Sequence, residues 1–259
     1  MTDLFYSPRL TFARAQHHIK DFNRVVGDFV HRDTWAHVVD KDSQPGKEIH
    51  KIEFLRPTPD TLPCILFDAV NNLRAVLDQA GYAAAVAAGS PSLKAVKFPF
   101  GPTETDFRNN LAGGCKDLPP EIRALFERQN AYEGGNNALW AINEMANAKK
   151  HFALIRARIG NVSAAVSHDA GPPPGMAGEF KKISPAVGWD AEKNEMILII
   201  ADADADVRGH FAFTVVIDSI KVLARKDARH ALYEMSSIVQ GILLATEAEC
   251  RRLGFKISD

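Results

Sequence analysis

The stretch 62–88, LPCILFDAVNNLRAVLDQAGYAAAVAA, is the longest uninterrupted helical pattern in the chain. Leu66, Val70, Leu73, Leu77, Ala80 and Ala84 recur at three- and four-residue steps, which stacks them in one apolar column on a helix. Ile65, Ala69 and Val76 widen that column on one flank. Asn71, Arg74, Asp78 and Tyr82 make a second, polar column, with Phe67 above it. The apolar surface is wide enough that the polar column is expected to face protein as well. Buried Asn, Arg and Asp groups then need partners, because an unpaired buried charge is expensive. Asp60 is the expected N-cap, with Pro63 tolerated in the first turn, where its missing N–H costs nothing.

The partners come from a later helical segment, 137–150. There Asn143, Asn147, Lys150 and His151 fall at i, i+4, i+7 and i+8 on one face. If the two helices pack antiparallel or obliquely, Asp78 meets Lys150 or protonated His151, and Arg74 meets an Asn side-chain carbonyl. Arg74 and Asp78 are also i,i+4 neighbours, in the less favourable order.

Outward from this pair, 8–31 reads as a first long helix with Ala15, Ile19, Phe22, Val26, Phe29 and Val30 on one face. The segments 34–39 and 48–55 read as a hairpin rich in β-branched and aromatic residues around a turn at 41–46. After Gly89-Ser90-Pro91 the run LKAVKFPFGP is expected to be irregular, held by Phe98 and Phe100. A short helix at 103–111 starts with Thr103 and Asp106 in a capping arrangement, and another runs from Asp117 to Arg128. From Phe152 the period changes to alternation, and strands are expected there, at 180–187, 195–201 and 210–218. Short connections favour antiparallel pairing among them. Asp227 then caps a terminal helix. The expected class is α+β: a helical core of long antiparallel helices with an N-terminal β-hairpin, followed by a C-terminal antiparallel sheet and a terminal helix. No linker divides it, so residues 1–259 read as one domain, helical to about 151.

Composition narrows the function classes. The formal net charge of −1 gives no overall field to draw nucleic acid or an anionic membrane, and no apolar run reaches the length of a membrane span. Cys64, Cys115 and Cys250 are isolated, and no secretory leader precedes the first helix, so a cytoplasmic protein with reduced thiols is expected. Asp202, Asp204 and Asp206 suggest a calcium loop, but Val207 and Phe213 stand where its Gly and Glu belong, and a solvated turn is the better account. Adjacent His17 and His18 point about 100° apart on a helix and do not converge on one metal. No nucleophile elbow, zinc-protease or dinucleotide motif is present, and no cofactor is expected.

The two polar columns therefore carry the candidate chemistry: Asn71, Arg74 and Asp78 on one helix, and Asn143, Asn147, Lys150 and His151 on the other. In one reading they satisfy each other and fix the helix register. In the other, Arg74 or Lys150 binds an anion such as phosphate and His151 acts as acid or base.

The order of helix, Trp-containing hairpin, Asn72-Leu73-Arg74-Ala75-Val76-Leu77-Asp78, Phe98-Pro99-Phe100 and Asn147-Ala148-Lys149-Lys150-His151 resembles an uncharacterised bacterial family. That family is marked by Asn-Leu-Arg-x-x-Leu-Asp and Asn-x-x-Lys-His. More distantly the arginine motif is similar to HEPN helical domains. Some of these cleave RNA without metal through an Arg-x4–6-His motif, often across a dimer. The resemblance implies that Arg74 is the phosphate-binding arginine. The histidine position is Gln79, which cannot shuttle a proton, so catalysis would need His151 in its place. The leading expectation is a non-catalytic interaction or ligand-binding module. The competing one is a HEPN-like, metal-independent ribonuclease using Arg74 and His151. For either reading the partner is open between RNA and another protein, with no membrane and with a homodimer as one option.

Overall fold

The computed structural model describes residues 3–148, 157–164, 190, 192–203, 211–217, 220–223 and 226–257. Lys150, His151, the segment 180–187, Asp204 and Asp206 lie outside the described residues. The described elements are α1 (Tyr6–Phe29), β1 (Trp35–Lys41), β2 (Lys47–Phe54), α2 (Leu62–Ala87), α3 (Glu104–Gly114), α4 (Pro120–Glu127), α5 (Asn137–Ala148), β3 (Ala157–Ala164), β4 (Glu195–Asp202), β5 (Phe211–Ile217) and α6 (Ala228–Arg252). This is the α+β arrangement that periodicity predicts, with an N-terminal hairpin and a terminal helix.

Helix α2 is the axis of the molecule. Leu62, Leu66, Ala69, Val70, Leu73, Val76, Leu77, Ala80 and Ala84 are fully buried, and α2 packs along α1, α5 and α6. Ser7 and Thr11, in the first turns of α1, both donate to Gln79 Oε1 in the C-terminal half of α2, so these two helices run antiparallel. Arg9 donates to Glu247 at 2.9 Å and sets the start of α1 against the end of α6.

The start of α2 differs from expectation. The N-cap is Thr61 rather than Asp60, and no side chain caps the helix. The Leu62 N–H is taken by Pro59 O at 3.1 Å in a backbone turn, and Pro63 brings no N–H. A side-chain acceptor therefore has little left to satisfy. At α3 the expected arrangement forms: Thr103 Oγ1 accepts from the Asp106 N–H at 3.2 Å and donates to the Asp106 carboxylate at 2.6 Å. Asp227 caps α6 by accepting from the Arg229 N–H at 2.8 Å.

The described C-terminal strands do not form one sheet. β4 pairs antiparallel with β2, giving the order β1-β2-β4, while β3 and β5 pair with each other. Burial explains the division. Met196 and Leu198 of β4 join Ile52 and Phe54 of β2, Trp35 of β1 and Phe29 of α1 in a small second core. β5 connects the two cores. Phe213 packs on Trp35 and Phe54 with ring centroids at 5.2 Å, whereas Val215 and Ile217 join the main helical core.

Candidate functional site

The hydrophilic sides of α2 and α5 meet. Arg74 Nε donates to Asn143 Oδ1 at 3.1 Å, the contact expected from the spacing of the two polar columns. Asn147 Nδ2 donates to the same oxygen at 3.0 Å. Because an arginine can only donate, the Asn143 amide is fixed with its oxygen toward Arg74 and its nitrogen turned the other way. Asn143 is buried, at 7% exposure, and its Nδ2 has no acceptor among the described residues.

Asp78 sits one turn beyond Arg74. Its Oδ2 lies 3.7 Å from Arg74 Nη1, and its Oδ1 accepts from the Phe98 backbone N–H at 2.9 Å. Among the described residues the acid therefore has two duties: it partly balances the guanidinium, and it pins the irregular run 93–102 to α2. That run is held at other points too. Cys115 Sγ donates to Lys97 O at 3.3 Å, and Asn110 Nδ2 donates to Phe100 O at 2.6 Å. Burial pushes the Cys115 thiol up to about 12, so it serves as a hydrogen-bonding core group and not as a nucleophile. Gly101 touches α3 so closely that a Cβ would lie 2.3 Å from the Phe107 backbone nitrogen.

These constraints enclose a cleft of about 520 Å³. α2 and α5 contribute Arg74, Asn143 and Asn147; the 93–102 run contributes Lys94, Lys97, Phe98 and Phe100; α3 contributes Asn110. The Arg74 guanidinium lies over the Phe100 ring, 5.5 Å from its centroid. Lys94 and Lys97 are exposed and have no ion pair among the described residues. The described lining contains no carboxylate. A second hollow, of about 710 Å³ at the start of α6, has a different character. There Asp227 pairs with Arg229 at 2.7 Å and Glu234 lies 3.7 Å from Lys226, so its charges largely cancel.

Of the residues singled out in the sequence, Arg74, Asn143 and Asn147 line the cleft and Asp78 braces it from behind. Asn71 is half-buried one turn earlier; it does not line the cleft, and its side chain has no hydrogen bond among the described residues. Lys150 and His151 lie outside the described residues. Sequence reasoning missed Lys94, Lys97 and Asn110. A signal was present: two lysines three residues apart, directly before the aromatic pair that anchors the loop.

Two other polar features lie apart from the cleft. Lys51 on β2 is held by Asp40, Glu53 and Glu195 at 2.7–2.8 Å, which raises its pKa. His37 and His50 stack across the hairpin with ring nitrogens 3.3 Å apart. No group of three or more His, Cys, Asp or Glu side chains among the described residues could hold a metal ion. No helix among them is long and apolar enough to cross a membrane.

No family model, curated protein or solved structure matches the chain.

Proposed function

We propose that the chain is a non-catalytic binding module and that the cleft between α2, α5 and the 93–102 run takes an anionic ligand. One observation carries this reading: Arg74, Lys94 and Lys97 share a lining with no described carboxylate. Cations gathered in a concave, partly apolar site focus their field on an incoming anion. Asn143 adds an uncommitted amide donor. Lysine is the lining's one described member among the usual proton-transfer side chains, which favours holding over turnover. The free thiols Cys64, Cys115 and Cys250 fit a reducing, cytoplasmic setting.

The competing reading is a ribonuclease similar to HEPN domains, with Arg74 on the scissile phosphate. Gln79, at the motif's histidine position, is turned to α1 and occupied by Thr11 at 2.9 Å. Proton transfer would fall to His151.

Calorimetric titration with inorganic phosphate separates the possibilities. The wild type is expected to bind, and Lys94→Gln/Lys97→Gln is expected to bind at least tenfold more weakly. Absence of binding, or equal binding by the two proteins, contradicts the anion reading. Cleavage of an RNA oligomer by the wild type, lost in a folded Arg74→Ala variant, would overturn the non-catalytic one.

A further inference from the structure

We infer that the ligand is a small organic phosphate, held by its phosphate group at the Arg74–Asn143 end and by hydrogen bonds from its organic body to Asn110 and Asn147. This rests on the anion reading above and specifies its ligand.

The donors outnumber what a simple anion can use. Arg74 spends Nε on Asn143, and Nη1 faces Asp78, but Nη2 has no acceptor among the described residues. Asn143 Nδ2 is likewise uncommitted, and the ammonium groups of Lys94 and Lys97 have no ion pair there. A carboxylate offers only two oxygens to such a set. A phosphate group offers three or more, arranged so that a guanidinium edge, an amide and two ammonium groups can share them.

The cleft is also too large for phosphate alone. At about 520 Å³ it falls among sites that enclose whole small molecules, roughly 300–1,000 Å³. Its remaining lining is suited to an organic body. Phe98, Phe100, Ala95 and Pro102 give apolar contact. Two acceptors stand among them. Asn147 commits its Nδ2 to Asn143 and Asn110 commits its Nδ2 to Phe100 O, so each presents an Oδ1 with no donor among the described residues. Both orientations are forced, because each partner atom is itself an oxygen that accepts. Hydroxyl or amine groups on the ligand would donate to these two oxygens. A long phosphodiester fits less well: tracking an RNA backbone calls for a basic path beyond a single cleft, and the chain's net charge is −1.

Calorimetric competition tests this with inorganic phosphate, ribose 5-phosphate, glycerol 3-phosphate, adenosine 5′-monophosphate, free ribose and a 5′-hydroxyl RNA decamer. At least one phosphomonoester is expected to bind tenfold or more tightly than inorganic phosphate, with ribose silent and the decamer weak. Asn147→Leu and Asn110→Leu, each with its unfolding midpoint recorded, are expected to lower the ratio of ester to inorganic-phosphate affinity at least tenfold, each variant's ester binding being read against its own binding of inorganic phosphate. If one variant fails to fold, the other variant and the wild-type ratio still decide. Equal affinity for phosphate and all three esters overturns the inference and leaves the anion reading standing. Tightest binding by the decamer also overturns it, in favour of RNA. No binding of phosphate or any ester overturns the anion reading itself.

Discussion

Arg74 and Asn143, 69 residues apart in sequence, are joined by a hydrogen bond of 3.1 Å that seams α2 to α5. The Arg74 side chain is about one quarter exposed, at 26%, and Asn143 is buried. A hydrogen bond to a charged group in that setting is worth on the order of 1–2 kcal/mol, more than an exposed ion pair gives. In a double-mutant cycle on urea unfolding, Arg74→Ala and Asn143→Ala are expected to couple by about 1 kcal/mol. Strictly additive losses would show that the contact does not hold the two helices together.

Gly101 and Gly27 make an opposed pair. A Cβ at Gly101 would lie 2.3 Å from the Phe107 nitrogen, which is backbone and cannot step aside. Gly101→Ala is expected to destabilise by roughly 1–3 kcal/mol, the usual range for overpacking, and to weaken phosphate binding because the cleft wall shifts. At Gly27, inside α1, a Cβ would meet nothing within 4 Å. Gly27→Ala is expected to stabilise by about 0.5–1 kcal/mol through helix propensity alone. Urea midpoints for both variants check the contrast, which fails if they move in the same direction.

The His37–His50 pair predicts acid sensitivity. Burial lowers the pKa of both rings, and for His37 the neighbouring His50 lowers it further; Glu48 acts on His50 in the opposite sense but more weakly. His50 is buried, and its Nε2 has no hydrogen-bond partner among the described residues. An unfolded histidine titrates near ~6.5, so on acidification the unfolded chain takes up these protons first. The stability contributed by the neutral pair is therefore full above about pH 6.5 and is lost as the pH falls below it. Urea midpoints at pH 7.5 and 5.5 are expected to drop for the wild type and to drop less for His37→Gln/His50→Gln. His18, also lowered by burial, leaves part of the effect in place. An unchanged drop in the double variant contradicts the assignment.

The α2 pattern was readable because helical spacing alone fixes which residues share a face. The residues assigned to the apolar column at 66, 70, 73, 77, 80 and 84 are all fully buried, and so are Ala69 and Val76 on its flank. The Arg74–Asn143 contact was readable for the same reason, since two polar columns on packed helices have few other places to go. Strand partnership was not readable. Whether β4 lies beside β2 or beside β3 and β5 depends on where Met196 and Leu198 find a core, and that is set by residues more than 140 positions away. The cleft escaped for a related reason. Lys94 and Lys97 gain meaning only when Asp78 and Cys115 fasten their irregular run opposite Arg74. A loop without periodicity gives no face to assign.

The claim that this cleft is the binding site is tested most directly at the Asn143 side-chain amide, whose Nδ2 is a cleft donor with no acceptor among the described residues. Its ¹H–¹⁵N resonance, identified by its loss in Asn143→Asp, is followed while inorganic phosphate is added. A saturable shift of this resonance is expected, with Lys94→Gln/Lys97→Gln weakening the response. A stationary Asn143 amide while resonances elsewhere titrate would place the anion at another site and contradict the account.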